Sequence, residues 1–496
     1  MGECQSWLLE PTFNRSVKVE SKDERLTTDG GAILLREADH QLGLTEYLAS
    51  QLFDPRREDR IRYTLTELLR ERLYAMALGY SVQDDADRLA HDPAFQLAVW
   101  DRRGDGVIDQ RLASQPTQSR LVSILAQEEN REKLRDGLFE SISRYVLSAG
   151  PQRRVLRATI DVDSFPIEVY GLQSGAAYNA HYGATIYHPL VASICIDGKY
   201  DAARPGSRLG NGFIGARLRP GNVHTADESL PFIQAVVRQT RQLCRYFDLR
   251  LDAGFVSGEI LDALTDDHVR FVGRIKANPR LQALAEPHLT RPPGRPPKGG
   301  YERVIELGPY QADSWKHSQR LILAIVDEPD SEGLLFDMPR YFFLVTNHPR
   351  TTRSGWNLLR HYRRGTFEDR LSEFNAVLGP HLSQSDCWKN DMSLVMALLA
   401  FNLSSLLRLE LEAAYGGSWD LVRFRDCVLK AGGRITKHGN RLVVKLAKAV
   451  SVFWSTLSAR VARWRLPITY PTRTGPQPRS WMPPPAHAHL ELVHRE

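Results

Sequence analysis

Cysteine is scarce in this chain. Cys4, Cys195, Cys244, Cys387 and Cys427 contain no CxxC spacing, which argues against a zinc module and against a disulfide framework. The fifteen histidines show no metal-ligand spacing either, and His224 reads as a hydrogen-bonding loop residue. The amino terminus, Met1 to Glu10, lacks a basic start followed by an apolar stretch. The most apolar run, Leu394 to Leu407, is interrupted by Asn402, Ser404 and Ser405 and reads as a buried helix. These absences predict a cytoplasmic protein without a membrane partner. Acid is nearly missing from Leu421 to Arg465, where eleven basic residues stand against Asp426 alone. Such an imbalance points to phosphate contact by a basic helix.

What is present suffices for a large core: 496 residues, 42% hydrophobic, predict roughly two to four domains. A net charge of +6 is mild support for a polyanionic partner. From about Ala32 to Leu147 apolar residues recur at helical spacing, as in Leu65, Leu69, Leu73 and Met76, so residues 1–150 read as a helical domain, expected to serve DNA binding or dimerisation. From Val155 the pattern turns to β. Leu156, Ala158, Ile160 and Val162 alternate with polar residues, and apolar runs follow at Leu190 to Ile196 and Phe213 to Leu218. Ser229 to Tyr246 then reads as helix, Asp248 to Asp252 as a short strand, and Val269 to Ile275 as another, closing a unit over 151–275. Residues 276–350 read as a β-rich insertion, with strands at Tyr301 to Leu307, Leu321 to Val326 and Arg340 to Thr346. Helical spacing returns over 351–411, where Leu371, Phe374 and Leu378 share a face. A basic helical region is expected over 412–466, and a disordered tail over 467–496, which holds seven prolines.

Within the strand Thr159 to Asp163, Asp161 and Asp163 sit two apart and project from one face. Desolvation and repulsion raise the pKa values of such a pair unless a metal, an Arg or a Lys compensates. Asp252 closes a second strand, at the end where ligands gather in open α/β sheets.

Thr159-Ile-Asp-Val-Asp-Ser-Phe165, with Gly171-Leu-Gln173 and Tyr178-Asn179, resembles the first catalytic strand of DDE transposases from the thirteen-eighty group of bacterial insertion sequences. Leu218-Arg-Pro-Gly-Asn222 with His224, Leu251-Asp-Ala-Gly-Phe255 and Arg364-Gly-Thr-Phe-Glu368-Asp-Arg370 resemble its later blocks in order. His91-Asp-Pro93 and Ala113-Ser-Gln-Pro-Thr-Gln-Ser-Arg120 match in the helical third. The resemblance implies an α/β multidomain protein: an RNase H-like catalytic core interrupted by a β-rich insertion, with helical N-terminal and C-terminal regions. It assigns Asp163, Asp252 and Glu368 to two Mg²⁺ ions, with Mn²⁺ as a substitute and Asp161 as the reserve ligand, for cleavage and strand transfer. The implied partners are terminal repeats, target DNA and a second copy of the chain, in a bacterial cytoplasm at the nucleoid. Where the family pattern has Tyr, Lys and Thr, this chain has His361, Asn375 and Phe165; either the helix register differs locally, or Tyr362 and Arg370 take over phosphate contacts beside Arg364 by another geometry.

Further DNA contacts are expected at Lys437, Arg441, Lys445 and Lys448, and at Arg295, where Arg291-Pro-Pro-Gly-Arg295-Pro-Pro-Lys298 resembles an AT-hook. A nuclease that cuts without joining and an inactive DNA-binding repressor of transposition are the alternative activities.

Overall fold

The computed structural model describes residues 8–466, except 10, 15, 21–23, 103–104, 150–156, 198–207, 225, 291–300, 328–338, 364–366, 380–381, 418 and 440. Arg295, Arg364 and the proline-rich 467–496 lie outside the described residues.

The helical third forms as its spacing predicts. Its helix Leu65–Ala77 starts at a capping box: Thr64 Oγ1 accepts from the Glu67 amide while the Glu67 carboxylate accepts from the Thr64 amide. Leu65, Leu69, Leu73 and Met76 are all buried. Helix α1, Glu128–Ala149, closes this part and packs along the central sheet.

Eight strands make one mixed sheet: β1 Arg157–Ser164, β2 Leu190–Asp197, β3 Arg208–Arg217, β4 Tyr246–Leu251, β5 Arg270–Ile275, β6 Tyr301–Tyr310, β7 Gln319–Asp327 and β8 Arg340–Thr346. The spatial order is β6-β7-β8-β5-β4-β1-β2-β3. β1, β2 and β3 form an antiparallel meander, and β4 and β5 run parallel to β1. The strands of residues 276–350 occur where alternation places them, but they extend this sheet instead of forming a separate β body: β8 pairs antiparallel with β5 through Phe343↔Ile275. The reason lies in β7, where Leu321, Ile322, Leu323, Ala324 and Ile325 are all buried. A strand apolar on both faces needs neighbours on both edges and cover above and below.

After β8 come α2, Gly355–Arg363, α3, Phe367–Val377, and α4, Cys387–Tyr415. Helix α4 is long and apolar enough to cross a membrane, yet its apolar stretch is wholly buried inside the protein. Asn402, one interruption of that stretch, has a structural task. Its Oδ1 accepts from the Phe213 amide at 2.8 Å and its Nδ2 donates to the Phe213 carbonyl at 2.7 Å, capping the outer edge of β3 as a neighbouring strand would.

The basic region corrects an expectation. Lys437, Arg441 and Lys445 are not on a helix but on a β-hairpin of β9, Gly433–His438, and β10, Arg441–Leu446; Lys448 starts a short 3₁₀ turn before α5, Ser451–Val461. Leu442, Val444 and Leu446 alternate with exposed Arg441, Val443 and Lys445, and Gly439 supplies the left-handed turn residue at φ 58°. Trp464 is buried and donates to Glu410, so it belongs to the packing of the carboxy-terminal region. The hairpin docks on the helical third: Leu26–Thr27 pairs with β9, and Asp29 binds Lys430 at 2.8 Å. Gly31 permits the contact, since a Cβ there would lie 2.3 Å from the Leu429 carbonyl oxygen.

Candidate active site

One face of β1 and β4 carries a polar stripe. Thr159, Asp161 and Asp163 project from β1, and Asp248, Arg250 and Asp252 project from β4 and its end. Register pairs Thr159 with Asp248 and Asp161 with Arg250. Continued by one step past the Val162↔Leu251 pair, the same register brings Asp163 beside Asp252 at roughly the inter-strand spacing of 4.8 Å.

The charges along this stripe are treated differently. Asp248 accepts from Arg353 at 2.7 Å and lies 3.2 Å from His348 Nε2. Burial alone would raise its pKa, but the His348 hydrogen bond and Arg353 bring it below the usual carboxylate value. Asp161 receives Arg250 with both oxygens, at 2.5 and 2.6 Å, and both residues are buried. Arg250 also donates to the His361 carbonyl at 3.0 Å, tying α2 to the sheet. Asp163 and Asp252 end the series, and among the described residues neither has a cationic partner.

Asp163 shows the consequence. Burial, with the charges of Asp252, Glu368 and Asp161, pushes its carboxyl up to about 7 against a hydrogen bond from the Ser164 amide. Glu368 thus reaches the same field from α3. That helix is anchored by Phe367, Arg370, Phe374 and Val377 on its buried face. Phe367 and Phe374 meet Phe213 of β3 edge-on, with centroids 6.3 and 5.9 Å apart. Leu371 is only half-buried, and Glu368 is exposed towards the acids.

Tyr362 joins the cluster from α2. Its hydroxyl is pushed up to about 12 by burial first and then by Asp252, with Asp163 and Glu368 adding to the effect. His361, which occupies the tyrosine position of the resembling motif, faces Asp248 instead; burial and Arg353 press its pKa down to about 4. Phe165, in place of the motif threonine, belongs to the core, and Asn375 is exposed.

Two site expectations are corrected. Asp161 is not available as a reserve ligand, because Arg250 neutralises it at both oxygens. Arg370 is not a surface phosphate contact: it is buried and donates to Ser193 Oγ at 2.6 Å. Its long side chain spans from α3 to Ser193 of β2. Arg250 was the residue missed. Its signal was present, since Arg250 precedes Asp252 by two just as Asp161 precedes Asp163, but only strand register shows that the two inner members meet. Tyr182, whose hydroxyl is raised by burial and then by Asp163, had no comparable signal.

Among the described residues no group of three His, Cys, Asp or Glu side chains forms a ready cage for one ion. The donors still fit a hard divalent cation. They are carboxylate oxygens, they have no ion-pair partner among the described residues, and Mg²⁺ is commonly held by one or two carboxylates while waters and substrate phosphates complete its shell.

The raised Asp163 has a measurable cost. The folded state holds the proton more tightly than the unfolded chain, so without metal the stability contribution falls as pH rises from about 4 to about 7 and is level above. Asp163→Asn is expected to stabilise the metal-free protein at pH 8 by on the order of 2 kcal/mol after allowance for solvent screening. The gain should shrink towards pH 5 in urea melts with EDTA. A gain independent of pH would reject the burial argument.

A family model described as Transposase DDE domain, group 1, matches residues 9–463. No curated protein matches the chain. A solved structure, the cryo-EM synaptic complex of piggyBac transposase with hairpin DNA, aligns at 12% identity and a TM-score of 0.41 over 89% of this chain and 84% of that one.

Proposed function

The chain belongs to the DDE transposases, and on that footing we propose that it cleaves the ends of an insertion sequence and joins them to target DNA, using Asp163, Asp252 and Glu368 as metal-holding acids. The observation that carries this reading is the Asp163 carboxyl, raised to about 7 by burial and then by Asp252 and Glu368, with no cationic partner of its own among the described residues. A fold that gathers three acids without an ion-pair partner among the described residues leaves a place for positive charge. The meander β1-β2-β3 followed by parallel β4 and β5 supports an RNase H-like core, and β6 to β8 then stand as its insertion before the helix that bears Glu368.

Two Mg²⁺ or Mn²⁺ ions bound there would supply an activated water or 3′-hydroxyl and neutralise charge on the leaving oxygen. The chain's own residues do the rest. Asp163 and Asp252 present oxygens from adjacent strand ends whose spacing the sheet fixes. Arg250 keeps Asp161 out of the ligand set and holds α2 against β4. Tyr362, kept protonated by its surroundings, offers a hydroxyl donor to a phosphate oxygen. Arg364, four residues before Glu368 in the sequence, would add a cation. Pairing two transposon ends calls for two copies of the chain, working at the nucleoid of a bacterial cytoplasm.

The test is incubation of the full chain with end-bearing DNA, a plasmid target and Mg²⁺. Joined products are expected. Cleavage without joining would identify a nuclease, and end binding without cleavage a repressor.

The hairpin is expected to touch DNA through one face. Arg441 and Lys445 share it with Arg434, which lies directly opposite Lys445, whereas Lys437 belongs to the other face and Lys448 follows the strand. Arg441→Ala with Lys445→Ala should lower the slope of log affinity against log salt by roughly two, about 0.9 per lost phosphate contact. An unchanged slope in anisotropy titrations would rule out phosphate contact by this face.

A further inference from the structure

We propose that a cavity of about 400 Å³ in the helical third binds backbone phosphates of duplex DNA, at a site separate from the acids and from the hairpin. The inference rests on the reading of this chain as a DNA transposase.

The cavity is lined by Arg56, Arg60, Arg62, Arg111 and Arg120, and by no Asp or Glu. Arg56 is held by Asp54 and Arg111 by Asp87. Arg60, Arg62 and Arg120 have no carboxylate partner among the described residues, so five guanidinium groups against two paired acids leave three uncompensated charges around one hollow. Gathering like charges is unfavourable for folding alone. Planar guanidinium forks match phosphate oxygens two at a time, so a polyanion relieves the repulsion and uses the geometry.

A sequence motif with no role in the acid cluster supplies part of the wall. Ser114, Thr117 and Arg120, all from the stretch Ala113 to Arg120, line the cavity at the start of the helix Gln115–Leu125. Ser114 is the N-cap residue, yet its hydroxyl does not cap the helix; it lies 3.3 Å from the Thr117 hydroxyl, so both face the hollow as a polar pair. The positive end of the helix adds to the arginine field. The other wall is apolar and firm: Leu112 and Leu121 are buried, and Tyr63 stacks on Trp100 with centroids 5.5 Å apart. The Arg62 guanidinium lies over the Tyr63 ring, 5.3 Å from its centroid, so apolar surface and cationic groups adjoin in one lining, which suits a sugar–phosphate strand with its apolar sugar edge beside anionic oxygens.

The test measures affinity of the metal-free full chain for random duplex DNA across a salt series. The variant Arg60→Ala, Arg62→Ala, Arg120→Ala should lower the log–log slope by roughly two to three. A second variant carrying Lys at the same three positions should keep most of the slope while binding more weakly, because point charges replace forks. Exposed Arg241→Ala, Arg245→Ala and Lys316→Ala, the same charge change elsewhere, should leave the slope nearly intact. Equal slope loss in that control, or none in the first variant, overturns the site. Wild-type protein without duplex affinity at any salt would overturn the transposase reading as well, whereas wild-type binding unaffected by the three substitutions removes this inference alone.

Discussion

Glu368→Gln is expected to fold normally, bind end DNA and lose Mg²⁺-dependent cleavage by at least about 10³-fold. The side chain is exposed at the start of α3, and the helix is held by Phe367, Arg370, Phe374 and Val377 on the opposite side, so the substitution removes no packing. It also removes one of the charges that raise Asp163, which makes an unchanged or slightly higher melting temperature without metal the expected accompaniment. A merely structural Glu368 would behave otherwise. Loss of stability with cleavage unaltered per folded molecule would sink the three-carboxylate assignment, and cleavage rates on pre-cut and intact ends would show whether both chemical steps depend on it.

The second large effect concerns Asp161. Asp161→Asn should destabilise the fold by about 3–5 kcal/mol, because it leaves Arg250 buried against the sheet without its counter-charge. Replacing both partners, as in Asp161→Leu with Arg250→Met, should cost much less than the single change, since an apolar pair needs no counter-ion. A ligand role predicts the reverse ranking. If Asp161→Asn kept its stability in urea melts yet abolished cleavage, while Asp163→Asn cleaved, the first metal ligand would be Asp161.

Much of this site was legible before any fold was known, because strand alternation is a local property. Asp163 and Asp252 could be placed at strand ends from the apolar residues that precede them, and Glu368 on a helix after the last strand of the sheet. The family resemblance groups them, and in the fold the charges of Asp252 and Glu368 reach the buried Asp163. The hairpin was equally legible in Leu442, Val444, Leu446 and Gly439, but the density of basic residues drew the reading towards a helix. Charge reports a partner and says little about backbone form.

By itself the sequence determined the periodicities: a helical third, the alternating strands, the apolar run of α4 and the positions of the acids. Tertiary structure alone decided how those pieces meet. Asp161 and Arg250 become partners only through the register of β1 on β4, and Asn402 is needed only because β3 forms an edge. Likewise, the carboxy-terminal hairpin joins the amino-terminal helices through Asp29–Lys430 and the Gly31 contact across some four hundred residues. Periodicity follows from the geometry of one residue and its near neighbours. Pairing between distant segments depends on which buried charges and unsatisfied backbone groups find partners when the whole core closes, and no local pattern encodes that.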